Sequence, residues 1–250
     1  MKMSVLIMSL FIWMENINDN RFFVQNFMSS FHIHDAELLI NQAISYINFL
    51  TSPNSVLDCN TINTTYMINN TNPLYFTMPI NIDSLYLFKY TTISGMKGIL
   101  RTICSRIFSD ILYKIQYGNY AGFTINRTFT ISGFPDPVFG HVEFYCWPLP
   151  HPMHQNFVNE EDRSLYVTFS RGFQVSKDDV TWVFLSNFGD CVQYVDMRRN
   201  KNDNKKQSLF ARVIMKSVTI IDIILCGKNT AKFKIKGKHV WAKKFKKPKV

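Results

Sequence analysis

Hydrophobic residues recur at helical spacing over most of the first 117 positions. Helices are predicted over four segments with this spacing, residues 5–14, 22–31, 35–49 and 96–117. The intervening residues 51–83 are rich in Thr, Asn, Pro and Ser, which predicts a flexible surface segment. Residues 1–133 are therefore expected to form a mainly α-helical N-terminal region.

Proline and aromatic residues dominate the next stretch. Residues 134–152 read "FPDPVFGHVEFYCWPLPHP", and proline is disfavoured in helix interiors and in central strands. We expect residues 134–161 to be a linker between two folded regions.

Beyond the linker, the apolar pattern alternates as in strands and is interrupted by two helical stripes. Strands are predicted near residues 165–169, 191–197 and 207–215, with a short extension and a fourth strand within 231–245. Ser176 and Asp179 resemble a capping box at the start of the first helix, and the second begins at Ser217.

The resulting order, βαββαβ over residues 162–247, is the split βαβ or ferredoxin-like arrangement. The chain is therefore expected to be α+β, with a ferredoxin-like C-terminal domain behind the helical region. In that topology the first and third strands are adjacent and both helices cover one face of the sheet. The other face is left open.

The third predicted strand raises the question of what this open face carries. Its stretch "QSLFARVIM", residues 207–215, has one wholly apolar row, Leu209, Ala211, Val213 and Met215. The other row, expected to face outward, is Ser208, Phe210, Arg212 and Ile214. Tyr166 and Thr168 face outward on the first strand, so Tyr166 and Phe210 should lie on the same surface.

Positive charge is concentrated at the C-terminal end. Residues 197–250 hold 17 Lys or Arg against two acidic residues, a net charge of +15. The preceding residues hold 11 basic and 16 acidic side chains, a net charge of −5. This asymmetry favours a polyanionic partner for the C-terminal region.

Two of the predicted strands resemble the signature strands of the RNA recognition motif (RRM) family. They are "LYVTFS", residues 165–170, and "SLFARVIM", residues 208–215. The octamer departs from the family pattern at three positions, where Ser208 replaces a basic residue, Leu209 a glycine and Arg212 the second aromatic residue. A guanidinium can stack on a base and also contact phosphate, so Arg212 changes the chemistry of that position.

The resemblance, together with the charge, predicts a non-enzymatic protein that binds single-stranded RNA. It implies base stacking on Tyr166 and Phe210, beside the outward Thr168. Phosphate contacts are expected from Arg212 and from the cations of the basic loop and tail, Arg198, Arg199, Lys205, Lys206, Lys243 and Lys244.

A second likeness covers more of the chain. The runs "SLFARVIM" and "GKHVWAKKF" resemble a group of plant proteins with a C-terminal domain of this kind behind a helical region. The segment "FIWMEN", residues 11–16, is similar to a tryptophan-containing segment near their start. This likeness implies no particular activity.

Several alternatives stay open. The linker or another chain could cover the sheet face, and the missing second aromatic residue favours a protein-interaction module with a degenerate RRM-like fold. A protein partner could also bind the N-terminal helices. On the fourth strand either Trp241 or its neighbours Val240 and Ala242 face the core, and we expect Trp241 to do so.

The remaining sequence features favour a nuclear or cytosolic protein. Five scattered cysteines without a CxxC pair suggest reduced thiols, and "KKFKKPK" resembles a nuclear import signal as well as a phosphate-binding tail. The apolar run after Lys2 is too short to span a bilayer, although it could also belong to a secretory signal. The histidine pairs lack further ligands at metal spacing, so no metal, cofactor or membrane partner is expected.

Overall fold

A computed structural model describes most of the chain. The described residues are 1–17, 33–52, 88–118, 128–145, 158–170, 174–197 and 208–246. They group into two compact units. The first unit contains the described residues of Met1–Ser55 and Thr92–Phe157, and the second those of Asp83–Thr91 and Val158–Val250.

Helices make up most of the described N-terminal part. They are α1 (Lys2–Ile17), α2 (Ile33–Thr51), α3 (Lys89–Ile99), a π-helical turn (Leu100–Cys104), α4 (Ser105–Ile107) and α5 (Ser109–Tyr117). These helices confirm the predicted helices at residues 5–14 and 35–49. Residues 96–117 are helical too, but they are divided among the end of α3, the π-helical turn, α4 and α5, with a break at Phe108. The predicted helix at 22–31 and residues 53–83 of the predicted flexible segment lie outside the described residues.

Part of the predicted linker is packed into the first unit. Strand β1 (Thr128–Phe129) pairs antiparallel with β2 (Phe144–Tyr145), and the Phe144 side chain is fully buried. Asp136 holds the intervening turn by accepting hydrogen bonds from the backbone N–H groups of Val138 and Phe139. Residues 134–145 therefore belong to the folded unit and not to a linker, because their apolar side chains enter its core.

The second unit is a mixed α+β structure. Its elements are β3 (Ser164–Thr168), α6 (Lys177–Phe188), β4 (Val192–Asp196), β5 (Phe210–Met215), α7 (Thr219–Leu225), β6 (Thr230–Ile235) and β7 (Lys238–Lys244). The strands form an antiparallel sheet in the order β4-β5-β3-β7-β6. The first and third predicted strands, β3 and β5, are adjacent as expected.

The expected strand count was one too low. The predicted short extension is the full strand β6, which pairs with β7 over all six of its residues. Alternate residues of β6 are lysines, whereas Ala231, Phe233 and Ile235 pack against the core on the other side. These lysines obscured a strand pattern that the intervening apolar residues carry.

Both helices pack against the same face of the sheet. Val180 and Phe184 of α6 and Ile221 of α7 share one core cluster with Leu165 of β3 and Val213 of β5. The capping box predicted for α6 is confirmed, with Ser176 Oγ accepting from the Asp179 amide at 3.1 Å and Asp179 accepting from the Ser176 amide at 2.9 Å.

Among the described helices, none combines the length and apolar character that a bilayer crossing requires.

Candidate nucleic-acid interface

The face of the sheet opposite α6 and α7 is the candidate site, and we call it the open face. Neighbouring residues in register across a sheet project to the same side. One row across the open face is Phe210, Thr168, Trp241 and Lys232. The next row is Asp196, Arg212, Tyr166, Lys243 and Thr230.

Tyr166 and Phe210 stack on each other at the centre of the open face. Their ring centroids are 5.2 Å apart with an interplanar angle of 24°. Tyr166 is partly exposed, and Phe210 keeps 36% of its surface accessible. The sequence prediction that these two rings share one surface is confirmed. Each ring covers part of one face of the other ring. The opposite face of each ring points away from the pair.

Trp241 extends the aromatic surface to β7, which contradicts its predicted core position. It is 48% exposed, whereas Val240 and Ala242 are buried in the core. Trp241 is in register with Thr168, and that places it on the same side as Tyr166. The signal was present in the sequence, because Val240 and Ala242 fit a tightly packed sheet core better than a bulky indole does.

Ammonium groups accompany two of these rings. Lys243 Nζ lies 5.4 Å from the centroid of Tyr166, and Lys232 Nζ lies 5.1 Å from that of Trp241. Both distances are within the range of a cation–π interaction. Tyr166 and Trp241 therefore each have an ammonium group over the ring.

Arg212 occupies its expected row but makes internal contacts. Its Nε donates a hydrogen bond to Ser164 Oγ at 3.1 Å, and its guanidinium carbon lies 4.5 Å from the Phe245 ring centroid. An Nη atom is 3.9 Å from the Glu160 carboxylate. These contacts hold the guanidinium against the sheet, so contact with a phosphate requires that some of them break.

One end of the open face is closed by the protein itself. Ser164 and Ile214 lie on the outward row, yet both are fully buried. Ser164 Oγ donates to the Glu160 carbonyl, and Tyr194 donates to the Glu160 carboxylate at 2.9 Å. This hydrogen bond raises the pKa of Tyr194. Ile214, expected to be outward and exposed, is therefore a covered residue.

The start of β5 also differs from the prediction. Leu209, assigned to the core row, is 40% exposed because the strand begins only at Phe210. The Leu209 carbonyl still accepts a hydrogen bond from the Phe169 amide at 2.8 Å.

The predicted phosphate-binding cations are only partly described. Lys243 is exposed on the open face, whereas Lys244 Nζ donates to the Glu161 carbonyl at 2.5 Å and lies 5.8 Å from the Tyr90 ring centroid. The four loop cations lie outside the described residues, Arg198, Arg199, Lys205 and Lys206.

The β6–β7 hairpin adds basic groups that the sequence analysis did not assign to the site. Lys234 is in register with His239 one row beyond Trp241. Partial desolvation, followed by the charges of Lys232 and Lys234, lowers the pKa of His239. Lys232 and Lys234 therefore add positive charge at the β6 edge of the open face.

In the part of the chain that the structure describes, no group of three or more His, Cys, Asp or Glu side chains is placed to hold a metal ion. Of the histidine pairs, His32, His151 and His154 fall outside that part. The open face carries aromatic rings, threonine hydroxyls, ammonium groups, the Arg212 guanidinium and the Asp196 carboxylate.

Comparison with known proteins gives no family assignment: no protein-family model, no curated protein and no solved structure matches this chain significantly.

Proposed function

We propose that the protein binds single-stranded RNA on the open face and has no enzymatic activity. We further propose that its second unit is a ferredoxin-like, RRM-like domain. Without β6, the sheet order β4-β5-β3-β7 corresponds to second, third, first and fourth strands. This is the strand order of the split βαβ arrangement, and it supports the assignment.

The observation that carries the proposal is the exposed Tyr166–Phe210 pair. Single-stranded nucleic acids bind proteins largely by base stacking on exposed aromatic rings beside positive charge. The pair lies on adjacent central strands, with Lys243 5.4 Å from the Tyr166 centroid. Rings in this position contribute little to the protein core, because the core lies on the other side of the sheet.

The contact of Lys243 with Tyr166 does not prevent stacking. A cation–π contact at an exposed site stabilises by about 0.5–1 kcal/mol, whereas a base stacked on an aromatic residue stabilises by roughly 1–3 kcal/mol. A base therefore displaces the ammonium group at a net gain. The displaced Lys243 is then available to pair with the adjoining phosphate.

We assign most of the phosphate contacts to exposed lysines. Lys243 needs to break only a weak contact, whereas Arg212 must give up at least one of its contacts with Ser164, Phe245 and Glu160. We therefore assign the first phosphate to Lys243 and expect Arg212 to keep the closed end of the face in place. The loop cations predicted from the sequence would add further contacts, and binding should weaken with salt.

Replacing both Tyr166 and Phe210 with alanine should weaken binding of a short single-stranded RNA by about 10- to 100-fold, because the loss of one base stack costs roughly 1–3 kcal/mol. The measurement is a fluorescence-anisotropy titration at several salt concentrations. The salt dependence should be nearly unchanged, since no cation is removed.

The control is Trp182→Ala. Trp182 lies on α6, on the helical side of the sheet, and is 66% exposed, so its loss removes an exposed ring without touching the open face. Equal RNA affinity in the double variant and the wild-type protein would reject stacking on this pair. Affinity no higher than that of a basic peptide of matched charge would reject RNA binding altogether.

A protein-interaction module is the second candidate. The observation that favours it is an exposed apolar patch on α6, where Trp182 is 66% and Leu185 48% exposed. Exposed aromatic residues are enriched at protein interfaces. In the titrations above, this candidate predicts only weak RNA binding, which depends on salt and not on Tyr166 or Phe210.

A further inference from the structure

We propose that Trp241 and the β6 edge form a second subsite on the open face, in which a further nucleotide of the same RNA strand stacks on the indole and its phosphate pairs with Lys232 and Lys234. This inference rests on the proposed function. It extends the bound strand from the centre of the sheet across β7 to its edge.

The spacing of the rings makes a separate subsite. Phe210, Thr168 and Trp241 occupy one row on three neighbouring strands. Two strand spacings of about 4.8 Å separate the backbones of β5 and β7. The short Thr168 side chain lies between the two rings, so Trp241 is too far away to join the Tyr166–Phe210 stack and presents its own surface.

Thr168 also supplies a polar group at the base of this gap. Its hydroxyl is partly exposed, and its only hydrogen bond among the described residues is a long one, 3.5 Å to the Trp241 carbonyl. A hydroxyl can donate to or accept from a base edge or a ribose. Thr168 was singled out from the sequence for its outward position, and the geometry gives it this role.

Charge continues beyond Trp241 in the same direction. Lys232 Nζ is 5.1 Å from the indole centroid, and Lys234 is one row further along β6. These two lysines place positive charge beside and beyond the indole, where the phosphate of a stacked nucleotide would lie.

The test compares wild-type protein and Trp241→Ala on oligouridylates from two nucleotides to about eight, a range that reaches the usual site size of such sheets. The shortest RNAs should bind both proteins equally, because they fill only the Tyr166–Phe210 subsite. Longer RNAs should bind the variant about tenfold more weakly. Trp241→Phe should restore most of this loss, since it keeps a stacking ring.

Two further variants check the phosphate contacts. Lys232→Gln and Lys234→Gln should each lower the salt dependence of binding by the equivalent of about one ion for the long RNAs only. Lys216→Gln is the matched control. Lys216 follows the end of β5, where it pairs with Asp190, so it is a lysine outside the proposed subsite.

Each outcome has a distinct meaning. If the variant and the wild-type protein bind RNAs of every length equally, or if Trp241→Ala weakens all lengths by the same factor, the second subsite is rejected while RNA binding stands. If the wild-type protein binds no RNA better than a charge-matched basic peptide does, the proposed function itself fails.

Discussion

Replacing Asp222 with alanine should destabilise the second unit by about 3 kcal/mol, because it leaves buried hydrogen-bond donors without an acceptor. Asp222 lies in α7 and is only 4% exposed. Its carboxylate accepts hydrogen bonds from the amides of Tyr90 and Thr91 at 2.9 and 2.8 Å, and from the Thr91 hydroxyl at 2.7 Å. The measurement is urea unfolding, together with hydrogen exchange of these two amides.

The matched variant Asp222→Asn separates the charge of this group from its shape. Burial raises the pKa of Asp222 from 3.8 to about 6, although the hydrogen bonds from Thr91 and Tyr90 oppose the shift. Between these two values the folded state binds more protons than the unfolded state, so the free energy of unfolding falls as pH rises from about 4 to about 6. The change is about 3 kcal/mol.

Asp222→Asn has no such proton to lose. Its stability relative to the wild-type protein should therefore increase by about 3 kcal/mol between pH 4 and pH 7. Parallel pH profiles of the two proteins would show that the carboxylate titrates normally and would contradict this account. Asp178→Asn, at an exposed position in the first turn of α6, serves as a control for a general change in charge.

Replacing Gly95 with alanine should destabilise the first unit by about 2–3 kcal/mol. Gly95 lies inside α3, where alanine would normally be preferred by roughly 1 kcal/mol. Here, an added methyl group would overlap Nε1 and Cδ1 of Trp13 and lie 2.9 Å from Cε2. Trp13 is only 6% exposed and cannot move aside without disturbing the core, so the overpacking cost exceeds the gain in helix propensity.

A double-mutant cycle tests this contact through thermal and urea unfolding. Phenylalanine at position 13 lacks the pyrrole ring that the methyl group would meet, so Gly95→Ala should cost less in a Trp13→Phe background. Ser94→Ala, one residue earlier in α3, is the control and should be nearly neutral. Equal costs of Gly95→Ala in both backgrounds would show that the indole is not the source of the destabilisation.

The local chemistry of the second unit could be predicted well from its sequence. Apolar alternation identified β3 and β5, and the spacing of Ser176 and Asp179 identified the start of α6. The same alternation brought Tyr166 and Phe210 to one surface, since the side on which a strand residue lies follows directly from its period of two. These features depend on neighbours within a few residues or on simple strand pairing.

Features that depend on distant contacts were missed. Ile214 is covered although its row faces outward, and Arg212 is held by Glu160, some fifty residues away in the chain. No local pattern in the sequence indicates which outward-facing strand residues are covered by distant parts of the chain. Trp241 was misplaced for a different reason, because alternation allowed two registers and the choice between them depends on how much volume the sheet core can hold.

The aromatic residues of 134–145 were misread for a related reason. Their proline content argued for a linker, but Phe134, Phe139 and Phe144 are buried in the first unit. Asp136 closes a short turn here by accepting backbone hydrogen bonds, and it also pairs with Lys2 at 2.6 Å. Such a turn tolerates proline, while the residues next to the prolines enter the core. Proline content alone excludes regular elements but not burial.

The most direct test of RNA binding on the open face is an NMR titration of the full chain with a short single-stranded RNA, followed through the aromatic side-chain protons. The ring protons of Tyr166 and Phe210 should shift upfield, because stacked bases shield them, while those of Trp182 on α6 stay unchanged. Shifts confined to the basic tail, with both rings unaffected at saturating RNA, would contradict the proposed site.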